Sequence, residues 1–411
     1  MGDDRSAALC LLSARAVRER AHRMLELGLA DALPHFRVVP ERLASAVELV
    51  LTRIRHTYPD HDIPFHARWR HFVVQGLDRW AAIADATAWS DPRRRARAEF
   101  DLAIVSVLLD AGAGPRWRYR DGRSGTELGR SEGLALASLE MFVAGAFSSR
   151  PDEPLRADAG VLMRLCVADL RRAFQVTDDN PLVGLEGRVA LLRRLGEVTA
   201  TRADVFAADD DPRPGGLFDH LLGTARAGEI AAPAILTEML LALGPVWPSR
   251  IALGGIALGD CWRHPALTTR DATSELMPLH KLSQWLTYSL IEPLQRAGLH
   301  VGDIDGLTGL AEYRNGGLFV DTGVLAFRDP ADAGRDHPVD SPLVVEWRAL
   351  TVALLDRVAD GVRRSLGVDA LALPLAKVLE GGTWAAGRSI AFERRPDGAP
   401  PIRVISDGTV F

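Results

Sequence analysis

Apolar positions recur at three- and four-residue spacing along most of the chain, the repeat that lines one face of an α-helix. Residues 13–33, 40–58, 92–114, 130–147, 157–176 and 186–206 all carry it and predict helices. Pro40 and Pro92 suit first helical turns, and Asp91 and Ser131 suit N-caps. The second half of 92–114 is nearly all apolar, as expected of a helix buried on every side. The clearest helix follows Ser341. Pro342 fits its first position, and Leu343, Trp347, Leu350, Leu354, Val358 and Val362 form one apolar face. Gly367 supplies the stop. In 279–294, Leu279, Leu282, Leu286 and Leu290 share one face, while Lys281, Gln284, Tyr288 and Glu292 share another. Two readings of that polar stripe stand: a solvated face, or one turned into a polar pocket. Trp285 lies off the leucine face, so the helix has contacts on more than one side.

The pattern changes near the end. Residues 389–411 read as short β-like runs separated by Pro-Asp-Gly and Ser-Asp-Gly turns, and a second β signal lies at 116–122. EGGTWAAGR (380–388) reads as a helix terminator flanked by Lys377 and Arg388. Loops are expected at 209–216 and 327–342. The expectation is a mainly α protein with a small C-terminal β element. A cut in the first loop gives a helical subdomain 1–208. A second, 217–411, would hold the candidate site and a terminal hairpin, unless the two form one composite domain.

Composition narrows the classes. The formal charge of −5 argues against a general nucleic-acid surface, and no apolar run approaches the ~20 residues of a membrane span. The start lacks the basic and apolar regions of a secretory signal, and the three scattered cysteines fit a reducing compartment, so a cytoplasmic protein is expected. Of 49 lysines and arginines only Lys281 and Lys377 are lysine. Where arginine is the default, a retained lysine marks either drift or a place that needs a compact charge with a movable pKa.

Candidate chemistry concentrates in DGLTGLAEYRNGGLFVDTGVLAFR (305–328). Asp303, Asp305, Glu312 and Asp321 supply carboxylates, with Tyr313 and Arg314 among them, and Asn315-Gly316-Gly317 would permit positive φ and close approach to a ligand. Glu312 and Arg314 could equally pair with each other. Cleaving a glycosidic bond needs a carboxylate that stabilises an oxocarbenium-like transition state or activates water, and a donor for the leaving group. DGRSGTELGRSEG (121–133) places Arg123 and Arg130 before a helix, a candidate anion site that competes with a plain loop and cap. FHARWRHF (65–72) sets Arg68 and His71 three apart with His66 nearby, without metal-ligand spacing. No HExxH, GxSxG or GxGxxG fingerprint occurs, and no metal or cofactor is expected.

DLAIVSVLLDAGAGPRWRYR, GRSEGLALAS, LTGLAEYRNGGLFVDTGVL, LPLAKVLEGGTWAAGR and the terminal PPIRVISDGTVF resemble the uracil-catabolism family of fungi and bacteria, which belongs to a degradation route through ribosylurea. The resemblance implies release of urea from ribosylurea. PLHKLSQWLTYSL and LTGLAEYRNGGLFVDTGVL are also similar to the two central motifs of the queuosine-salvage N-ribosyl hydrolases, which implies a helical, DNA-glycosylase-like architecture. Those proteins carry aspartate at the position of Glu312, aspartate at Ser289 and Pro-Gln at Gly316-Gly317, departures that fit a smaller leaving group. The expected enzyme is an N-glycosyl hydrolase acting on ribosylurea or its 5-phosphate. Glu312, Asp305 and Asp303 would form its carboxylate set. Tyr313, Arg314, Lys281, Gln284, Tyr288 and Asp321 would contact substrate, with Arg123 and Arg130 as outer anion candidates. The alternatives are an amidohydrolase acting on the ring-opened ureido compound and a non-catalytic binding or scaffold protein.

Overall fold

The computed structural model describes residues 2–110, 112–207, 211–247 and 249–405. Helices dominate, and among the described residues the strands are two or three residues long and pair only in twos. The protein is mainly α. No described helix is long and apolar enough to cross a membrane.

The chain forms two compact units, each assembled from separate stretches rather than divided at the 209–216 loop. Met1–His66, Ser249–Gln284 and Asp303–Ile405 make the first; Ala67–Pro248 and Trp285–Gly302 belong to the second. A single cut fails because helices far apart in sequence complete each core. Asp209 and Asp210 of that loop lie outside the described residues.

The first unit is built on the Pro342–Leu366 helix. Ser341 Oγ accepts from Val344 N, Gly367 ends it at φ 68°, and all six residues of the predicted apolar face are buried. It packs against Ala14–Leu29, Leu43–Thr57 and Tyr313–Asp321. Short glycine approaches allow this: a Cβ on Gly361 would lie 2.6 Å from Val47, and one on Gly28 equally near Val38. Pro40 begins a 3-10 turn, Pro40–Arg42, ahead of the α-helix itself. Phe36–Val38 pairs antiparallel with Leu325–Phe327.

The C-terminal reading needs correction. Residues 389–394, expected in a β run, belong to a helix, Trp384–Arg394, and EGGTWAAGR does not terminate one. It continues Leu375–Val378 through a π-helical turn, Leu379–Thr383. The small β element survives as Arg403–Ile405, which pairs parallel with Asp336–Pro338 rather than in a hairpin. Parallel pairing draws on a strand far back in the chain, which local turn signals cannot show. The predicted Ser-Asp-Gly turn at 406–408 lies outside the described residues.

The second unit centres on Pro92–Leu108, capped by Asp91 and buried almost throughout its second half, as predicted. Arg130–Val143, Leu185–Thr201 and Leu217–Thr224 pack on it. Gly129 rather than Ser131 holds the N-cap of Arg130–Val143. Residues 157–176 form two short helices, Ala159–Leu162 and Val167–Ala173, because the Asp169 carboxylate accepts from Cys166 N and starts a new helix there. The β signal at 116–122 is real: Tyr119–Arg120 pairs with Glu127–Leu128.

Candidate active site

Glu312 stands at the N-cap of Tyr313–Asp321. Its Oε2 accepts from Arg314 N at 2.7 Å and its Oε1 from Asn315 N at 2.5 Å, satisfying two N–H groups that a helix start leaves open. Burial pushes its carboxyl above the usual glutamate range, against these two hydrogen bonds and the positive charges of Lys281 and His66. The side chain is half-buried. A carboxyl group that caps a helix N-terminus, and yet holds its proton more tightly than usual, suits proton transfer.

His66 is buried and held at two points. Its backbone N–H donates to Ala376 O at 3.0 Å, and its Nδ1 lies 2.7 Å from Glu380 Oε2. Glu380 sits on the π-helical turn Leu379–Thr383. The next two residues bring that turn against the Leu43–Thr57 helix and the adjoining loop: a Cβ on Gly381 would lie 2.8 Å from Ile63, and one on Gly382 2.5 Å from Val50. Lys377, one turn before Glu380, places its ammonium 6.0 Å from the Phe65 ring centre, beside His66.

Lys281 opens the Lys281–Arg296 helix, and a buried carboxylate fixes that opening. Asp260 accepts from Lys281 N at 2.9 Å, from Trp262 Nε1 at 2.6 Å, and from both Arg348 Nη atoms at 2.9 and 2.8 Å. Burial would raise its pKa, but Arg348 and the other donors outweigh it and hold the carboxyl down to about 2. Gln284, fully buried, straps the helix to Thr308: Thr308 N donates to Gln284 Oε1 at 3.0 Å, and Gln284 Nε2 donates to Thr308 Oγ1. This strap lies just ahead of the segment that ends at Glu312.

The remaining expected residues take up other tasks. Both oxygens of Asp305 are engaged, Oδ2 by Arg363 Nη2 and Oδ1 by Leu375 N, each at 2.5 Å. Asp305 thus anchors the start of the segment that carries Glu380. Asp303 is exposed, in a left-handed conformation at φ 48°. Asp321 makes a two-pronged ion pair with Arg395. Arg314 is buried, donates to Gly398 O at 2.7 Å, and lies 5.0 Å from the Tyr313 ring centre. Asn315-Gly316-Gly317 is no ligand loop. It lies inside the helix with no positive φ, and its glycines admit neighbours: a Cβ on Gly316 would meet the Trp347 indole at 2.6 Å, and one on Gly317 would meet Pro401 at 3.2 Å.

Tyr288 is fully buried in the second unit, and Glu292 there pairs with Arg70 and Arg296, so the stripe of four is no continuous solvated face. Residues 282–291 are all buried. Arg123 and Arg130 are exposed, also in the second unit, with Arg123 3.6 Å from Glu140. Their loop is closed around Asp121, whose carboxylate accepts from Arg123 N and Ser124 N and pairs with Arg79. These are N–H groups an anion would have used.

Sequence reasoning brought out Glu312 and Lys281, noted His66 only as a histidine without metal-ligand spacing, and passed over Glu380, Asp260 and Arg348. His66 and Glu380 stand 314 residues apart, and no local spacing marks the pair. The one available signal was that a glutamate followed by two glycines shares its segment with a rare lysine.

The fold and these contacts define a helical protein whose first unit packs the helix capped by Glu312 against the turn on which Glu380 meets His66. The chain belongs to the family described as "Protein of unknown function (DUF1688)", whose model matches residues 10–411. It is 38% identical to "Protein urg3" of Schizosaccharomyces pombe, with 98% of each chain covered. It is 36% identical to "Uracil catabolism protein 4" of Lachancea kluyveri, with 92% of each covered.

Proposed function

We propose that the protein is a cytoplasmic enzyme of uracil catabolism, an N-glycosyl hydrolase that cleaves ribosylurea or its 5-phosphate to urea and the pentose. The name of the Lachancea kluyveri relative supports the pathway. The observation that carries the chemistry is Glu312: a half-buried carboxyl with raised proton affinity, fixed by two backbone N–H groups and acted on by Lys281 and His66. Each carboxylate oxygen keeps a second lone pair beyond its backbone hydrogen bond. Glu312 can therefore hold a water and take its proton as that water attacks the anomeric carbon, while its negative charge faces the developing oxocarbenium ion. Asp305, tied to Arg363 and Leu375 N, is assigned an anchoring role.

The test is incubation of ribosylurea and its 5-phosphate with the pure protein in H₂¹⁸O, followed by mass spectrometry. Intact urea and label on the anomeric oxygen are expected. Ammonia and carbon dioxide with nitrogen retained on the sugar would replace this reading with an amidohydrolase. Binding without turnover would replace it with a scaffold protein.

A further inference from the structure

Hydrolysis of an N-ribosyl urea needs help at both ends of the breaking bond. Urea leaves poorly as an anion, so a proton must reach its nitrogen while water attacks carbon. Glu312 can serve only one end. The two aspartates offered by the sequence do not serve the other, since Asp305 is bound through both oxygens and Asp303 is exposed. We propose that His66 and Glu380 form the proton-delivering pair of this site, His66 as the acid that protonates the departing urea and Glu380 as the residue that orients it; this rests on the ribosyl-hydrolase reading above.

The geometry supports the assignment. An ionised carboxylate can only accept hydrogen bonds, so the 2.7 Å contact with Glu380 Oε2 places a proton on His66 Nδ1. Nε2 is then the ring nitrogen through which a proton is passed. A pair that served only stability could be replaced by apolar packing at little cost. Two features set this one apart. Glu380 is carried on a π-helical turn, a rare widening often found at functional sites. The helix that Glu312 caps also packs against that same turn. Charged groups set about His66 include Glu380, in direct contact, and Lys377 across the Phe65 ring.

The step balances. Water oxygen bonds to the anomeric carbon as the carbon–nitrogen bond breaks. Glu312 takes the water proton, and His66 gives its Nε2 proton to the urea nitrogen. Proton return from Glu312 to His66 through solvent restores the starting state, with no oxidant or reductant.

The experiment compares wild type, His66→Gln and Glu380→Gln on ribosylurea and on 4-nitrophenyl riboside, whose leaving group departs without a proton. Circular dichroism checks folding. His66→Gln is expected to lower kcat on ribosylurea by ~10²–10⁴ and on the nitrophenyl substrate by less than ~10-fold. Glu380→Gln is expected to lower kcat on ribosylurea with little change in KM, and to affect the nitrophenyl substrate by less than ~10-fold, because the imidazole loses the carboxylate that orients it. Equal losses on both substrates, in His66→Gln or in Glu380→Gln, would overturn the pair while leaving ribosyl hydrolysis in place. Wild-type protein inactive on both substrates would remove the hydrolase reading itself. If His66→Gln does not fold, the substrate comparison in Glu380→Gln decides alone.

Discussion

At the residue scale, Glu312 combines two tasks that substitution can separate. Gln keeps an oxygen to accept from the helix start but cannot take a proton. Glu312→Gln should therefore fold and slow urea release by ~10²–10⁴. Glu312→Ala should lose the cap as well, at about 1 kcal/mol of stability, read as a lower melting temperature. Near-wild-type turnover by the folded Gln variant would leave Glu312 a cap and nothing more. The raised carboxyl also sets a sign for pH dependence. A base with raised proton affinity is neutralised at higher pH than an ordinary glutamate. The acidic limb of kcat/KM should accordingly lie above the usual value of about 4.3. A limb at or below it would count against Glu312. Lys281 is the third test. Its charge acts on Glu312, and its compact ammonium differs in shape from a planar guanidinium. Lys281→Arg should change kcat or KM despite keeping the charge, and unchanged constants would reduce the retained lysine to drift.

At the element scale, the Tyr313–Asp321 helix is held by how closely other elements approach it. Gly316 admits the Trp347 indole, and Gly387 of the Trp384–Arg394 helix admits the Arg314 carbonyl. A methyl group on Gly387 would meet backbone, which cannot rotate away. Gly387→Ala should destabilise the protein by ~1–3 kcal/mol, the usual range for overpacking, visible as a reduced denaturation midpoint. An unchanged midpoint would mean that the two helices separate freely. The same packing ties the Glu312 and Glu380 segments together, since the Tyr313–Asp321 helix also contacts the π-helical turn.

At the scale of the whole molecule, buried ion pairs join distant stretches of the first unit. Asp260 and Arg348 are both buried and bind through two hydrogen bonds. With its folded pKa held down to about 2, well below the ordinary aspartate value of 3.8, Asp260 contributes stability that is fully present above the unfolded value. That contribution, on the order of 2 kcal/mol, is lost as pH falls from about 4 towards about 2. Asp260→Asn should flatten this part of the stability curve in acid-unfolding experiments. It should also weaken the hold on Lys281 N, and so lower kcat at neutral pH. A variant with the wild-type acid transition would place the acid sensitivity elsewhere.

Much of the architecture follows from sequence alone, because helices are written locally. Asp91, Ser341, Pro342 and Gly367 do in the structure what their chemistry suggests, and the apolar face of Pro342–Leu366 is buried residue by residue. The density of carboxylates around Glu312 and the rarity of lysine were likewise visible. Tertiary structure decided which of those carboxylates were available. Asp305 and Asp321 found arginines at positions 363 and 395, and no pattern within residues 303–321 could foretell that. It also turned Gly316 and Gly317 from a supposed ligand loop into packing surfaces, because a glycine's purpose depends on what approaches it. The terminal segment became helix rather than strand when its glycines let a π-helical turn settle against Val50 and Ile63. His66 and Glu380 meet only because that turn forms. Local sequence sets backbone preference, while the pairing of charges is set by distances that exist only once the chain has packed.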